Sequence, residues 1–245
     1  MGLVDVVVKH ILNRIEVDEP QEDDDNQALM RGITLRPEEK ARISSMEPHP
    51  GQVQEGEQGE EILGSYTPMG SPGILTLHKE KIASFFWHHI REILDQGYYM
   101  DKRDLERMAY MTTIKTYTHE RFHHFADVQR NLFNTSYDRY AEEALAVAHS
   151  YLEITGTMRS TWNNKIGLLP TPIYQIMLQA IFRYYQPGYK DWVKYQTNHD
   201  FKRGLVSYLG PPRTDFLEKS GISVAGLLIS MQAVVADQGV IEKLG

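Results

Sequence analysis

Residues 104–132 read DLERMAYMTTIKTYTHERFHHFADVQRNL, and this stretch decides the reading of the chain. Asp104 is well placed as an N-cap, and the run predicts one long helix ending near Leu132. Inside it lies His119-Glu-Arg-Phe-His123. Residues four apart share a helical face, so both imidazoles can point at a single metal ion. Glu120 sits about 100° further round the axis, where its carboxylate reaches a metal-held water without ligating the metal. Two nitrogens for a borderline-soft ion, with a carboxylate to take a proton, form the arrangement used for metal-assisted hydrolysis.

Such a site needs a third protein ligand and one open position. Downstream, Asn134-Thr-Ser136 reads as a turn and Tyr137–Glu153 as a further helix. That helix carries two adjacent carboxylates, Glu142 and Glu143, in an otherwise apolar run. Folded back beside the first helix, it would bring one of them to the imidazole pair. On these residues the chain resembles the zincin metallopeptidases of the gluzincin type, in which HExxH is followed by a helical glutamate. Within that resemblance Glu143-Ala-Leu-Ala146 fits the third-ligand run better than Glu142-Glu-Ala-Leu145. The ligands implied for Zn2+ are then His119, His123 and Glu143, with Glu142 as second choice. Glu120 is implied as catalytic base. His149 is the nearest residue for stabilising the oxyanion, with Tyr151 and His199 as weaker alternatives.

On the N-terminal side, Ile62-Leu-Gly-Ser-Tyr66 and Ile74-Leu-Thr-Leu-His78 flank the turn-rich Thr67–Gly73 and predict a hairpin. Gly64-Ser-Tyr66, this turn and the apolar segment after it look like the zincin edge strand. The resemblance implies a peptide or protein substrate bound along that edge as an added strand. It covers residues 62–153. The chain departs from the pattern at His124, which has no role in it. Phe125-Ala-Asp127 stands where the metzincin glycine would be. Small intracellular peptidases of this kind suit a cytoplasmic chain.

Elsewhere, Leu3–Val17 fits helical spacing slightly better than strand, and Asp18–Asn26 is an acidic linker. Gly32–Leu35 reads as a short strand. Glu47–Glu61, rich in Gly, Pro, Gln and Glu, lacks the apolar residues to pack, and it joins the edge strand so directly that it could cover the cleft. Ile82–Leu94 is amphipathic, with Gly97 as its stop. Helical patterns recur at Pro172–Tyr185, Tyr189–Tyr195, Phe201–Leu209 and Val224–Leu244. The predicted fold class is α+β, mainly helical and zincin-like, with a small sheet and edge strand packed on the active-site helix. Residues 1–61 form a loosely built region, 62–159 the catalytic core and 160–245 a helical C-terminal part.

The whole chain has 245 residues and 28.3 kDa, 41% hydrophobic and 24% charged, which suits a soluble globular protein. A net charge of −7 argues against nucleic acid as a partner. Its longest apolar run, Val224–Ala236, falls short of the roughly 20 residues that cross a bilayer, and Asp5 interrupts any secretory signal, so no membrane role is expected. With no cysteine, disulfides and thiolate metal sites are excluded, and metal chemistry must use His, Asp and Glu. His88 and His89 diverge by about 100° on a helix and do not easily share a metal. The aromatic groups around Phe85 and Tyr184 read as packing.

Three other readings compete. A di-iron helical protein needs two Glu-x-x-His sets, and only Glu120-x-x-His123 occurs. A non-catalytic peptidase-like binding module has no chemical reason to keep Glu120. A glycosidase on Glu142 and Glu143 needs facing carboxyls, whereas neighbours on a helix diverge.

Overall fold

Periodic apolar positions shape most of the protein, whose computed structural model describes residues 2–13, 62–68, 73–133, 137–156, 162–167, 171–209, 233–236 and 241–244. Helix α1 (Leu3–Leu12) turns Val4, Val7, Val8 and Ile11 inward at helical spacing, and Val7 and Ile11 are fully buried. Asp5 on its opposite side accepts hydrogen bonds from the Tyr110 hydroxyl at 2.9 Å and from Lys165 Nζ at 2.8 Å. Residues 3–12 therefore belong to the core, which corrects the expectation of a loosely built start. Each fully buried branched side chain contributes about 1.5–3 kcal/mol, enough to hold a short helix that would melt alone. The acidic linker, the strand at 32–35 and the segment 47–61 lie outside the described residues.

Helix α2 (Lys79–Asp95) buries Ile82, Phe86, Trp87, Ile90 and Ile93 on one face. Gly97, at φ 85°, donates its N–H to the Leu94 carbonyl and ends the helix as its position predicts. The long helix α3 (Lys102–Phe133) begins earlier than its sequence suggests. Asp101, not Asp104, is the cap: it accepts the Asp104 N–H at 2.6 Å, and Asp104 in return accepts the Asp101 N–H at 3.3 Å. This reciprocal pair satisfies two orphan donors at once. Residues 111–120 are buried all round, so α3 is the central helix. Thr112, Thr113, Thr116 and Thr118 are tolerated there because each hydroxyl donates to the carbonyl four residues back.

Helix α4 (Arg139–Thr155) starts where Asp138 accepts the Ala141 N–H at 3.2 Å, and it packs along α3. The predicted turn at 134–136 lies outside the described residues. A short α5 (Asn163–Ile166) is followed by α6 (Pro172–Ile181), with proline in its first turn. Then come a 3-10 helix (Tyr189–Tyr195) and α7 (Asn198–Leu209). α6 stops four residues short of Tyr185, since Phe182 leaves helical geometry and packs its ring on Tyr151 and Trp192. The 3-10 helix lies against α4 and closes one side of the α3–α4 pair.

Strands β1 (Gly64–Thr67) and β2 (Gly73–Leu77) form the expected antiparallel hairpin, in register from Gly64↔Leu77 to Thr67↔Ile74. Two further strands, β3 (Ala233–Ala236) and β4 (Ile241–Leu244), extend it to the order β1-β2-β4-β3. This overturns the expected helix at 233–236 and 241–244, while the rest of the stretch Val224–Leu244 lies outside the described residues. The apolar runs there are short and separated by Asp237-Gln-Gly239, so helical periodicity was no guide. β1 is thus an edge strand of a small sheet, and it lies against α3. The architecture is mainly helical α+β, and among the described residues no helix is long and apolar enough to cross a membrane.

Candidate metal centre

One helix fixes the first two donors of the site. His119 and His123, one turn apart on α3, bring their Nε2 atoms to 3.1 Å from each other. Glu143, from the first turns of α4, places Oε2 at 3.3 Å from each of those nitrogens. All three side chains are nearly buried, and Glu143 Oε2 has no hydrogen bond. Buried polar atoms are almost always satisfied, so two ring nitrogens and a carboxylate oxygen that converge, the last without a hydrogen bond, form a group that could hold a cation. The donors also fit its size. Bonds of about 2.0–2.1 Å in a tetrahedron put ligands about 3.3 Å apart, close to the separations seen here. The donor set of two imidazoles and one carboxylate leaves a fourth position open.

The electrostatics agree with that use. Burial opposes charge on Glu143, but the two imidazoles hold its carboxyl well below the usual carboxylate range. Burial likewise opposes charge on His123, yet its hydrogen bond to Glu142 and the negative charge of Glu143 beside Nε2 outweigh it and push the ring up to about 10. Such a concentration of negative charge around one imidazole favours a bound cation. Glu120 is buried on the same turn of α3, and burial pushes its carboxyl above the usual range despite the nearby His119 and His123. A carboxylate with raised proton affinity suits a general base. Gly64 of β1 makes room for it: a Cβ there would lie 2.8 Å from Glu120 Cγ.

Glu142 does something different from its neighbour. Its Oε1 accepts the His123 Nδ1–H at 2.8 Å, so it fixes the tautomer that leaves Nε2 free to face the cation site. Its Oε2 accepts from Arg130 Nη1 and from the Tyr208 hydroxyl. Both carboxylates predicted as alternatives are therefore at the site, Glu143 toward the two Nε2 atoms and Glu142 behind the ring. Arg130 is held in turn by Asp127, at 3.3 Å from Nη2. His124 also gains a part. Its Nδ1–H donates to Tyr66 at 3.1 Å, and the Tyr66 hydroxyl donates to Asp127 Oδ2 at 2.9 Å. Tyr189 from the 3-10 helix stacks on His119, with ring planes 11° apart.

His149 is placed in the core rather than beside the donor set. It is 1% exposed and packs against Phe122 and Phe201. Six residues beyond Glu143 it is turned about 120° away around the helix, which spacing along the chain had obscured. Burial pushes its pKa down to about 3, so the ring is neutral. Tyr151 packs on Phe182 and Trp192, and His199 is mostly exposed beside Asp200.

A second group, His88, His89 and Glu92, lies on α2. There each histidine meets a different oxygen of one carboxylate, at 3.6 and 2.9 Å, and Arg183 stands 3.7 Å from the same group. Adjacency was expected to keep the two histidines apart, but their ligand atoms and that of Glu92 lie within 4.8 Å of one another. The arginine already supplies positive charge there.

Arg130, Tyr208, Tyr66 and Tyr189 were not foreseen as parts of the site. Asp127 and Arg130 follow His123 by four and seven residues, one and two turns along the same face, a signal that helical phase carries. Tyr66, Tyr189 and Tyr208 come from separate elements and have no local signature. No protein-family model, no curated protein and no solved structure matches this chain.

Proposed function

We propose that the protein is a zinc-dependent peptide hydrolase of zincin type, with His119, His123 and Glu143 as metal ligands. The observation that carries this reading is the convergence of His119 Nε2, His123 Nε2 and the unbonded Glu143 Oε2 within 3.3 Å of one another, beside buried Glu120. Zinc, when bound, supplies an acidified water and a Lewis acid for the scissile carbonyl.

The remaining work falls to the chain's own groups. Glu120 takes the proton of the attacking water and passes it to the leaving amine, a task suited to its raised proton affinity. Glu142 holds the His123 ring in one tautomer, and Arg130 and Tyr208 hold Glu142. The substrate is a peptide or protein segment that adds to the outer edge of β1, whose inner edge is paired with β2. Since β1 abuts Glu120 at Gly64, a strand laid on it runs past the base. With a net charge of −7 and no cysteine, the reading goes with a cytoplasmic protein that has no nucleic-acid partner.

Two variants test the reading. Purified protein should carry close to one zinc per chain by elemental analysis, and His119→Ala should lose it; retention of full zinc by that variant rejects the ligand set. Glu120→Gln should keep its zinc and lose peptide cleavage by at least about a hundredfold. A Glu120→Gln protein that matches wild type in every functional assay would instead favour the binding-module reading.

A further inference from the structure

Resting on the zinc reading above, we infer that Tyr66 is a positioning residue that locks the edge strand to the metal-facing ring of His123. A continuous series of polar contacts joins them. The Tyr66 hydroxyl donates to Asp127 Oδ2 at 2.9 Å, and Asp127 Oδ1 accepts from Arg130 Nη2 at 3.3 Å. Arg130 Nη1 donates to Glu142 Oε2, and Glu142 Oε1 accepts the His123 Nδ1–H at 2.8 Å. Each carboxylate in the series uses its two oxygens on two different partners. Rotating either one breaks both contacts, so a displacement at one end is transmitted rather than absorbed.

The Tyr66 end is fixed as firmly as the histidine end. Its single proton goes to Asp127, and its oxygen accepts from His124 Nδ1 at 3.1 Å, so α3 engages the hydroxyl both as donor and as acceptor. The strand beside it leaves space for this pose. A Cβ at Gly73 on β2 would lie 2.4 Å from the Tyr66 hydroxyl and 2.7 Å from its ring. A tyrosine that merely filled space would need neither the paired partners on α3 nor the missing side chain on β2. The geometry also explains His124, which the HExxH pattern leaves without a task. Because coupling between two sites is reciprocal, a peptide that immobilises β1 and a cation that immobilises His123 favour one another.

Cobalt(II), added to the purified full-length chain and followed by its visible absorption, reports the geometry of the donors. Zinc affinity is measured beside it by competition with a chromogenic chelator. Tyr66→Phe is expected to weaken zinc binding about tenfold and to shift the cobalt bands, the loss typical of removing a group that orients a ligand. Gly73→Ala keeps the hydroxyl but displaces it, and is expected to do the same. Thr67→Ala, on the same strand outside the series, should leave both readouts at wild-type values. If Tyr66→Phe and Gly73→Ala change only thermal stability, with cobalt spectrum and zinc affinity as in wild type, the positioning role is overturned and the zinc site stands. A wild-type chain that takes up neither metal overturns both.

Discussion

Adding one methyl group at Gly64 tests whether Glu120 is the base. An alanine Cβ there would sit 2.8 Å from Glu120 Cγ, 3.0 Å from its Oε1 and 3.0 Å from Thr116 Cγ2. Ordinary contact begins near 3.4 Å, so the Glu120 side chain must retreat by several tenths of an ångström. Thr116 cannot take up the strain, since its hydroxyl is bonded to the Thr112 carbonyl and the residue is buried. Overpacking of this kind costs about 1–3 kcal/mol of stability. The effect on rate should be larger in proportion, because misplacing a reacting group by about 1 Å costs on the order of a hundredfold. We therefore expect Gly64→Ala to keep full zinc, unfold at slightly lower temperature and cleave a fluorogenic peptide roughly ten- to a hundredfold more slowly, mainly in kcat. The three atoms nearest the new methyl belong to Glu120 and Thr116, not to His119 or His123. A zinc-loaded Gly64→Ala protein with wild-type kcat would refute the assignment of Glu120.

Three more outcomes follow from other parts of the molecule. Glu142→Gln should retain one zinc but bind it about 10–100-fold more weakly, whereas Glu143→Gln should lose stoichiometric binding; equal affinities for the two variants would dissolve the distinction between them. Glu153 is buried and burial pushes its pKa up to about 7, against Arg121 and Trp162, from an ordinary 4.5. Between those values the unfolded chain has lost a proton that the folded chain keeps, so stability falls as pH rises through 4.5 to 7. Glu153→Gln removes that loss, and urea unfolding should show it gaining up to about 3 kcal/mol on wild type across this window; parallel stability curves would count against it. Ile11→Ala should cost about 2–5 kcal/mol, and a loss well under 1 kcal/mol in denaturant titration would mean that α1 is not docked as described.

What the sequence disclosed depended on whether one element carried the signal. His119, Glu120 and His123 were legible because a single helix sets their phase, and Asp127 and Arg130 obey the same rule. The choice between Glu142 and Glu143 needed the rotation of α4 against α3, which side-chain packing decides and local pattern does not. His149 shows the same limit: six residues from Glu143 is near in sequence but on another face, and the apolar surroundings of Phe122 and Phe201 claimed it. The helices α2, α4 and α7 were readable from periodic apolar positions and terminal signals such as Gly97. The start of α3 was misjudged because Asp101 and Asp104 are both good caps, and only their reciprocal bonding ranks them. Strands at 233–236 and 241–244 escaped because runs of four residues satisfy either period.

The order of strands carries a consequence for how the molecule is assembled. β2 finds β1 across a short turn, but its other neighbour, β4, arrives only after every helix of the α3–α7 series has been made. Closing so distant a contact is entropically slow compared with forming a local hairpin. The hairpin and α3, near each other in the chain, are therefore expected to meet before β4 reaches β2. A sheet closed by so distant a strand is expected to be completed after the hairpin, which leaves the β4-facing flank of β2 open to stray pairing until residues 241–244 have docked.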